Sequence, residues 1–240
     1  MKKVSVIITI IAAIASFLSG FLVANSLNRK ELNDLRSEIA GLQKNQKNDS
    51  DKTLSKDEIQ ARIAEADKNP DNIEFQKNLA FALYAYANTK QDASLLPDIL
   101  RILRRVYAKD DKNIEVVRTL GNLLFDIGQS KNDNANLAES REFYQKALEI
   151  KPKDVEIQTD LATTYLLETP PNTEKAMIEL QKSLQINAKD EKTLQAVIQA
   201  NLMQNKLKEA EESLAKLSEI NPNNVAINDL KTQISQLKNK

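Results

Sequence analysis

The sequence of 240 residues has no cysteine and no histidine. It therefore lacks the side chain that titrates near neutrality, the common zinc ligands, a thiolate nucleophile and the usual proximal ligand of haem. Catalysis would have to run on carboxylates or lysine alone. The acidic residues that recur on helical faces, such as Glu139, Glu142, Glu209, Glu211 and Glu212, have Lys and Arg close by, which is the pattern of a solvated surface. Only four glycines occur, and none sits in a phosphate-binding loop. Nor is there an excess of charge of one sign: 34 basic residues balance 34 acidic ones, which removes the electrostatic case for nucleic acid. No enzyme activity, cofactor or metal is expected. The absence of thiols is compatible with any redox compartment.

What the sequence has is recurrence. Asn72, Asn113, Asp154, Asp190 and Asn224 each precede an amphipathic stretch, at separations of 41, 41, 36 and 34 residues. Asn and Asp accept hydrogen bonds from the unpaired N–H groups of a first helical turn, so the series predicts five helix starts. A period near 34 belongs to helical solenoids.

The repeated unit has a recognisable interior. Leu161-Ala162-x-x-Tyr165 is followed by a second amphipathic run with Ala176, Leu180 and Ser183; the preceding unit has Leu120-Gly121-x-x-Leu124, then Ser140, Tyr144 and Ala147, closed by Pro152. Two less faithful copies flank these. One has Leu79-Ala80-x-x-Leu83 with Ile99, Leu103 and Val106, and Pro70 upstream; the other has Val197-Ile198-x-x-Asn201 with Ala210, Leu214 and Leu217, closed by Pro222. This order of small and bulky residues resembles the tetratricopeptide repeat. The resemblance implies an all-α fold over 55–240, a TPR-type solenoid of about four helix pairs, with Asn201 departing from the family because an aromatic ring normally packs there. Small residues such as Gly121, Ala147, Ala162 and Ala176 let helix backbones approach, while Leu120, Tyr144, Leu161 and Tyr165 fill the facing holes.

The longer intervals place surplus residues between the two helices of a unit, at Thr89 to Leu95, at Ser130 to Asn136 and at the Pro170-Pro171 corner. These are expected as surface loops on one edge. Ile227, Leu230, Ile234 and Leu237 trace a single apolar stripe, predicting a last helix that caps the stack.

At the other end, Val4 to Ala24 is a run of 21 uncharged residues, long enough at about 1.5 Å per residue to cross a hydrocarbon core. Lys2 and Lys3 precede it, and Leu22-Val23-Ala24 resembles a cleavage site, but the run exceeds the apolar core of a cleavable signal. We read residues 1–26 as a cytoplasmic tip and an uncleaved single-pass signal-anchor in the inner (cell) membrane. Positive charge near the amino terminus favours that end inside, which puts the repeats in the periplasm or outside the cell, although Arg29 and Lys30 narrow the margin. Ala12, Ser16, Gly20 and Ala24 form a small-residue face suited to contact between membrane helices. Leu32, Leu35, Ile39 and Leu42 continue as a short seam in a helical stalk at 27–46. Two readings stand: a parallel homodimer held by anchor and coiled coil, or a monomeric helix. Residues 47–54 read as a flexible linker, overlapping a stretch from Gln43 to Thr53 too polar to bury a core.

In tetratricopeptide proteins the first helices of successive units line a concave groove that holds a protein or peptide. By that resemblance the groove would include Lys77, Phe81, Arg118, Asn122, Phe125, Thr159, Thr163, Gln195 and Gln199. Arg118 with Asn122, and Lys77, echo a clamp for a terminal carboxylate, but Phe81 and Asp160 stand where that clamp needs other residues. The expected function is a membrane-anchored scaffold that assists assembly of an envelope complex, with a layout similar to repeat subunits of cytochrome c maturation. The competing expectation is a dimeric spacer whose groove stays empty.

Overall fold

The computed structural model describes residues 55–239. All regular structure among them is helical, and they divide into two compact units between Lys90 and Gln91. The expected anchor, stalk and linker lie outside the described residues. Among those described, no helix is long and apolar enough to cross a membrane.

The first unit contributes α1 (Lys56–Lys68) and α2 (Ile73–Lys90). A capping box starts α1: the Ser55 hydroxyl accepts from the Glu58 N–H at 3.2 Å, and the Glu58 carboxylate accepts from the Ser55 N–H at 2.7 Å. Ile59, Ile63 and Ala66 form its buried face, and Phe75, Leu79, Leu83 and Ala87 that of α2, at the spacing that keeps one side of a helix apolar. Gln76 is fully buried between them, where its amide donates to the carbonyls of Ala66 and Asn69. No helix was expected from α1's sequence beyond the start of the repeat region, so the structure adds one element to the predicted set.

The second unit opens with a 3-10 turn, Ala93–Leu95, and continues as α3 (Leu96–Lys109), α4 (Ile114–Lys131), α5 (Asn134–Ile150), α6 (Val155–Leu166), α7 (Thr173–Ile186), α8 (Glu191–Met203), α9 (Leu207–Ile220) and α10 (Ile227–Lys238). Helices α4 and α5, α6 and α7, and α8 and α9 form three hairpins, and each hairpin packs on the next. Hence the unit is a solenoid in which core clusters span neighbouring pairs. Leu161's neighbour Ala162 joins Leu166, Ala176 and Leu180 with Val197 and Ala200, while Ile198, Leu214 and Leu217 join Ile227, Leu230 and Ile234. The last three residues are the buried face of α10, which covers the end of the stack as its stripe predicts.

Helix starts follow the Asx series at four of the five positions. Asn72, Asn113, Asp154 and Asp190 accept from the N–H three residues on, at 3.2, 3.3, 3.2 and 2.8 Å. Asn224 differs: its Oδ1 takes the Ala226 N–H in an Asx turn, and α10 begins only at Ile227. Turns between pairs repeat as well. The N–H groups of Asp154, Asp190 and Asn224 reach back to the carbonyls of Lys151, Asn187 and Asn221 at 3.2, 3.2 and 3.1 Å, with Pro152 and Pro222 at the second corner, where a fixed φ suits the turn.

The expected loop at Ser130 to Asn136 is not a projection. The surplus residues lengthen α4 and α5 to 18 and 17 residues, and only Asn132 and Asp133 lie between them. Asn132 takes a left-handed conformation at φ 50°, the Asp133 N–H closes on the Gly128 carbonyl, and the Asp133 carboxylate caps α5. A helix extends wherever its apolar stripe continues, and Leu123, Leu124 and Ile127 carry that stripe onward. Likewise α2 runs for 18 residues and absorbs part of the first surplus. A six-residue link around Pro170 and Pro171 remains as predicted.

Close approach within the α4–α5 hairpin depends on glycine. A Cβ on Gly121 would stand 2.7 Å from Tyr144 Cε1, and one on Gly128 would stand 2.8 Å from the Leu137 side chain. The Ser140 hydroxyl donates to the Gly121 carbonyl at 2.8 Å in the same contact. Tyr165, by contrast, is only half-buried; its ring lies beneath the Arg141 guanidinium at 4.4 Å.

Candidate functional site: the face formed by successive first helices

The nine residues expected to line the groove divide between the units: Lys77 and Phe81 stand on α2, and the other seven on α4, α6 and α8. On α2, Phe81 is half-buried and the Lys77 ammonium pairs with Glu74 one turn earlier at 3.0 Å. The hydrogen bond from Lys77 holds the Glu74 carboxyl below its usual range, against the opposing effect of burial.

In the second unit the first helices touch one another and are joined by a ladder of polar bonds. Arg118 of α4 pairs with Glu156 of α6. Asp160 of α6 pairs with Lys192 of α8 at 2.5 Å. Gln195 of α8 donates to the Asn224 side chain at 3.1 Å, and Gln199 donates to Gln233 of α10 at 3.2 Å. Glu156 and Lys192 occupy one register, each five residues before the Leu161 or Val197 of its motif. Both ion pairs thus reach the first turn of the next helix, where Glu156 and Lys192 are the second residues of α6 and α8.

The ladder changes what several of the expected groove residues do. Gln195 and Gln199 are half-buried and bonded to the last turn and helix. Asn122 accepts from the Tyr144 hydroxyl at 3.0 Å and so helps seat that ring. Thr159 does not line a groove surface at all. It is fully buried, and its hydroxyl meets Ser183 and Thr193 at 2.7 Å each, while Ser183 and Thr193 meet at 2.9 Å. The Val155 carbonyl accepts from Thr159 and Ser183, and Asp190 accepts from Thr193, so the three protons have acceptors. Thr159 turns inward because the contact between α6 and α8 falls on that side of the helix, a fact helical periodicity does not contain. Arg118, Asn122, Phe125 and Thr163 are likewise half-buried.

Electrostatically the face is self-neutralised at its cations. The Arg118 guanidinium loses some basicity to burial, but the bond to Glu156 and the charges of Glu156, Asp154 and Asp160 more than compensate and hold it protonated. Burial pushes the Asp160 carboxyl up, opposed by Lys192 and Arg118. With Arg118 and Lys192 both engaged by carboxylates, neither is free to clamp a terminal carboxylate.

Sequence reasoning missed Glu156, Lys192 and Met203. The first two could have been found from their shared register; Met203, half-exposed at 50% at the end of α8, could have been found from its place six residues after Val197. Among the described residues no cluster of three or more acidic residues could hold a metal. Two shallow depressions lie at the turn Lys151–Asp154 and between that turn, Gln158 of α6 and Lys182, Gln185 and Ile186 of α7.

Comparisons with known proteins agree with this architecture. The tetratricopeptide repeat family profile matches residues 121–154, which span the end of α4, all of α5 and the turn to α6. The fold is similar to that of a tetratricopeptide repeat protein from Parabacteroides merdae (TM-score 0.60, 16% identity, 76% of this chain and 66% of that one). This chain therefore spans just under two thirds of that relative. It is also similar to a thermophilic TPR protein of Thermus thermophilus (TM-score 0.54, 16% identity, 76% of this chain and 90% of that one), and to MamA (TM-score 0.53, 19% identity, 68% and 86%). No curated protein matches the sequence. The chain has a tetratricopeptide-type helical fold with a recognisable repeat at its centre, and no enzymatic family is indicated.

Proposed function

We propose that the protein is a membrane-tethered scaffold that holds a protein or peptide partner against the face formed by its first helices. The observation that carries this reading is the set of partly exposed side chains Arg118, Asn122, Phe125 and Thr163, on helices held by the packing of one hairpin on the next and bridged at the surface by the Arg118–Glu156 and Asp160–Lys192 pairs. A pre-fixed face loses little freedom on binding, which is what a recognition surface requires. Solenoids use such extended faces to hold other chains.

The tether is the apolar run Val4–Ala24, with the repeats on the extracytoplasmic side and the small-residue face of Ala12, Ser16, Gly20 and Ala24 pairing two copies. Partners of this kind include proteins under assembly in the envelope, with chains awaiting cytochrome c maturation as one case. The test is site-specific photo-cross-linking in cells from positions 122 and 163, with position 178 on α7 as control. Adducts from the first two that are absent from the third support the scaffold; adducts from the control alone, or a phenotype lost only on deleting Leu32 to Leu42, point to the spacer instead. Protease access in spheroplasts tests the orientation, since protection of the repeats would overturn it.

A further inference from the structure

We propose that residues 33–44 are the first helix of one more repeat and dock on α1 as its second helix, so that Leu35, Ile39 and Leu42 pack within the chain and not against a second copy. The register of α1 is the starting point. It carries Ile59, Ile63 and Ala66 at the spacing of Ser140, Tyr144 and Ala147 on α5 and of Ala176, Leu180 and Ser183 on α7. On α5 and α7 those residues pack on the first helix of the same hairpin, Tyr144 on Gly121 and Leu180 beside Ala162. Helix α1 thus has the buried pattern of a second helix, yet no helix precedes it among the described residues.

The chain before α1 supplies the missing half in the right place. Ile39 stands 20 residues before Ile59, as Leu79 does before Ile99 and Leu120 before Ser140, and each is followed by a small residue, Ala40, Ala80 or Gly121. Leu35 takes the place of Phe75 and Val116, and Leu42 that of Leu123. Ile39 to Leu79 and Ile59 to Ile99 both span 40 residues, against 41 for the next interval. Arg36 falls at the position of Gln76, whose amide bonds the carbonyls of Ala66 and Asn69 at the end of the second helix before it. An outermost unit has no helix before it, which leaves that position open to a charge. Gly41 costs a lone helix about 1 kcal/mol relative to alanine, so this segment needs a neighbour to pack on. Two residues depart from the repeat: Leu32 stands where Asn72 and Asn113 cap, and Gln43 where Leu83 and Leu124 pack. Residues 45–54 reach about 33 Å when extended, more than the roughly 20 Å of the 13-residue α1, so the link can return along it. Given the membrane tether, the added unit would lie against the bilayer, whereas a straight helix over 27–46 would hold the repeats about 30 Å away.

The test follows amide hydrogen exchange over 56–68 in the full-length protein in detergent micelles. Ile39→Asp is expected to speed exchange of α1 by at least about tenfold, while Leu32→Asp leaves it within about twofold. A coiled coil would use Leu32 and Ile39 alike and would leave α1 indifferent to both. Equal effects of the two variants, or none, would therefore overturn the proposal. Cross-linking gives a second readout that does not depend on Ile39→Asp folding. The chain has no cysteine of its own, so Ala40→Cys combined with Ile59→Cys reports one contact. Its counterpart is Gly121 and Ser140, whose hydroxyl reaches the Gly121 carbonyl at 2.8 Å. Mild oxidation is expected to join the two thiols within one chain; bonds formed only between chains, or no bond, would sink the docking. Neither outcome bears on the groove, which adducts at positions 122 and 163 read separately.

Discussion

Two contacts in the second unit join helices by opposite means. Within the α4–α5 hairpin, a fully buried Tyr144 ring lies directly on Gly121, and the join is apolar apart from the Ser140 and Asn122 bonds at its edges. Between α6, α7 and α8, an apolar cluster is joined by three buried hydroxyls, Thr159, Ser183 and Thr193, tied to the Asp190 cap. The first contact removes a large ring from water and tolerates little change in volume. The second sits beside the apolar cluster of Ala162, Leu166, Ala176, Leu180, Val197 and Ala200 and adds directional bonds that bear on how one pair sits on the next. The ring thus contributes mainly burial, and the hydroxyls contribute mainly direction.

The contrast can be tested by removing each part in turn. Tyr144→Ala should cost the most, about 3–5 kcal/mol in urea unfolding, from lost transfer energy and a cavity that rigid helices cannot close. Gly121→Ala should cost about 1–3 kcal/mol, because the new methyl enters space held by the ring; combined with Tyr144→Ala, its cost should largely vanish. An undiminished cost in the double variant would mean the ring is not what the glycine accommodates. Thr159→Val keeps the shape and removes one hydroxyl, so about 1–2 kcal/mol is expected, with faster amide exchange at the α6–α8 contact as the sign that register has loosened. If exchange instead rises uniformly, the hydroxyl cluster has no special role in register.

The exposed rungs rank lower. A double-mutant cycle on Arg118 and Glu156 should give a coupling of about 0–1 kcal/mol, diminished by salt, because a pair this open to solvent is screened. Asp160 offers a test by pH. Its folded-state pKa is raised, so the folded protein binds that proton more tightly than the unfolded chain does. Its contribution therefore favours folding below the ordinary aspartate range and declines as pH rises through that range toward the folded value. Asp160→Asn should remove this decline, measured as the stability difference between about pH 3.5 and 7, a span that brackets the ordinary aspartate range; an unchanged slope would show that other carboxylates set it.

Much of the architecture was legible because it is written in local chemistry. Four Asx caps, the small residues at 121, 147, 162 and 176, and the apolar stripe of α10 each impose a structure on their own neighbourhood, and the structure follows them. Asn224 misled because an Asx side chain serves a turn as readily as a helix start. Ser130 to Asn136 misled because a longer repeat was assigned to a longer loop, whereas the stripe through Ile127 lets the helices themselves grow. The candidate face was less legible. Its residues were placed on the right helices, but which of them look outward depends on the angle at which α6 meets α8. Thr159 therefore reads identically to Thr163 in sequence and lies on the other side of the contact in space.

Because α10 closes the stack by presenting Ile227, Leu230 and Ile234 to whichever hairpin comes before it, the terminal seal is separable from the length of what it seals. Duplicating or excising a whole hairpin upstream would leave the same lid to be fitted. Evolution, or an engineer, can therefore change the reach of this surface by units of two helices without inventing a new ending.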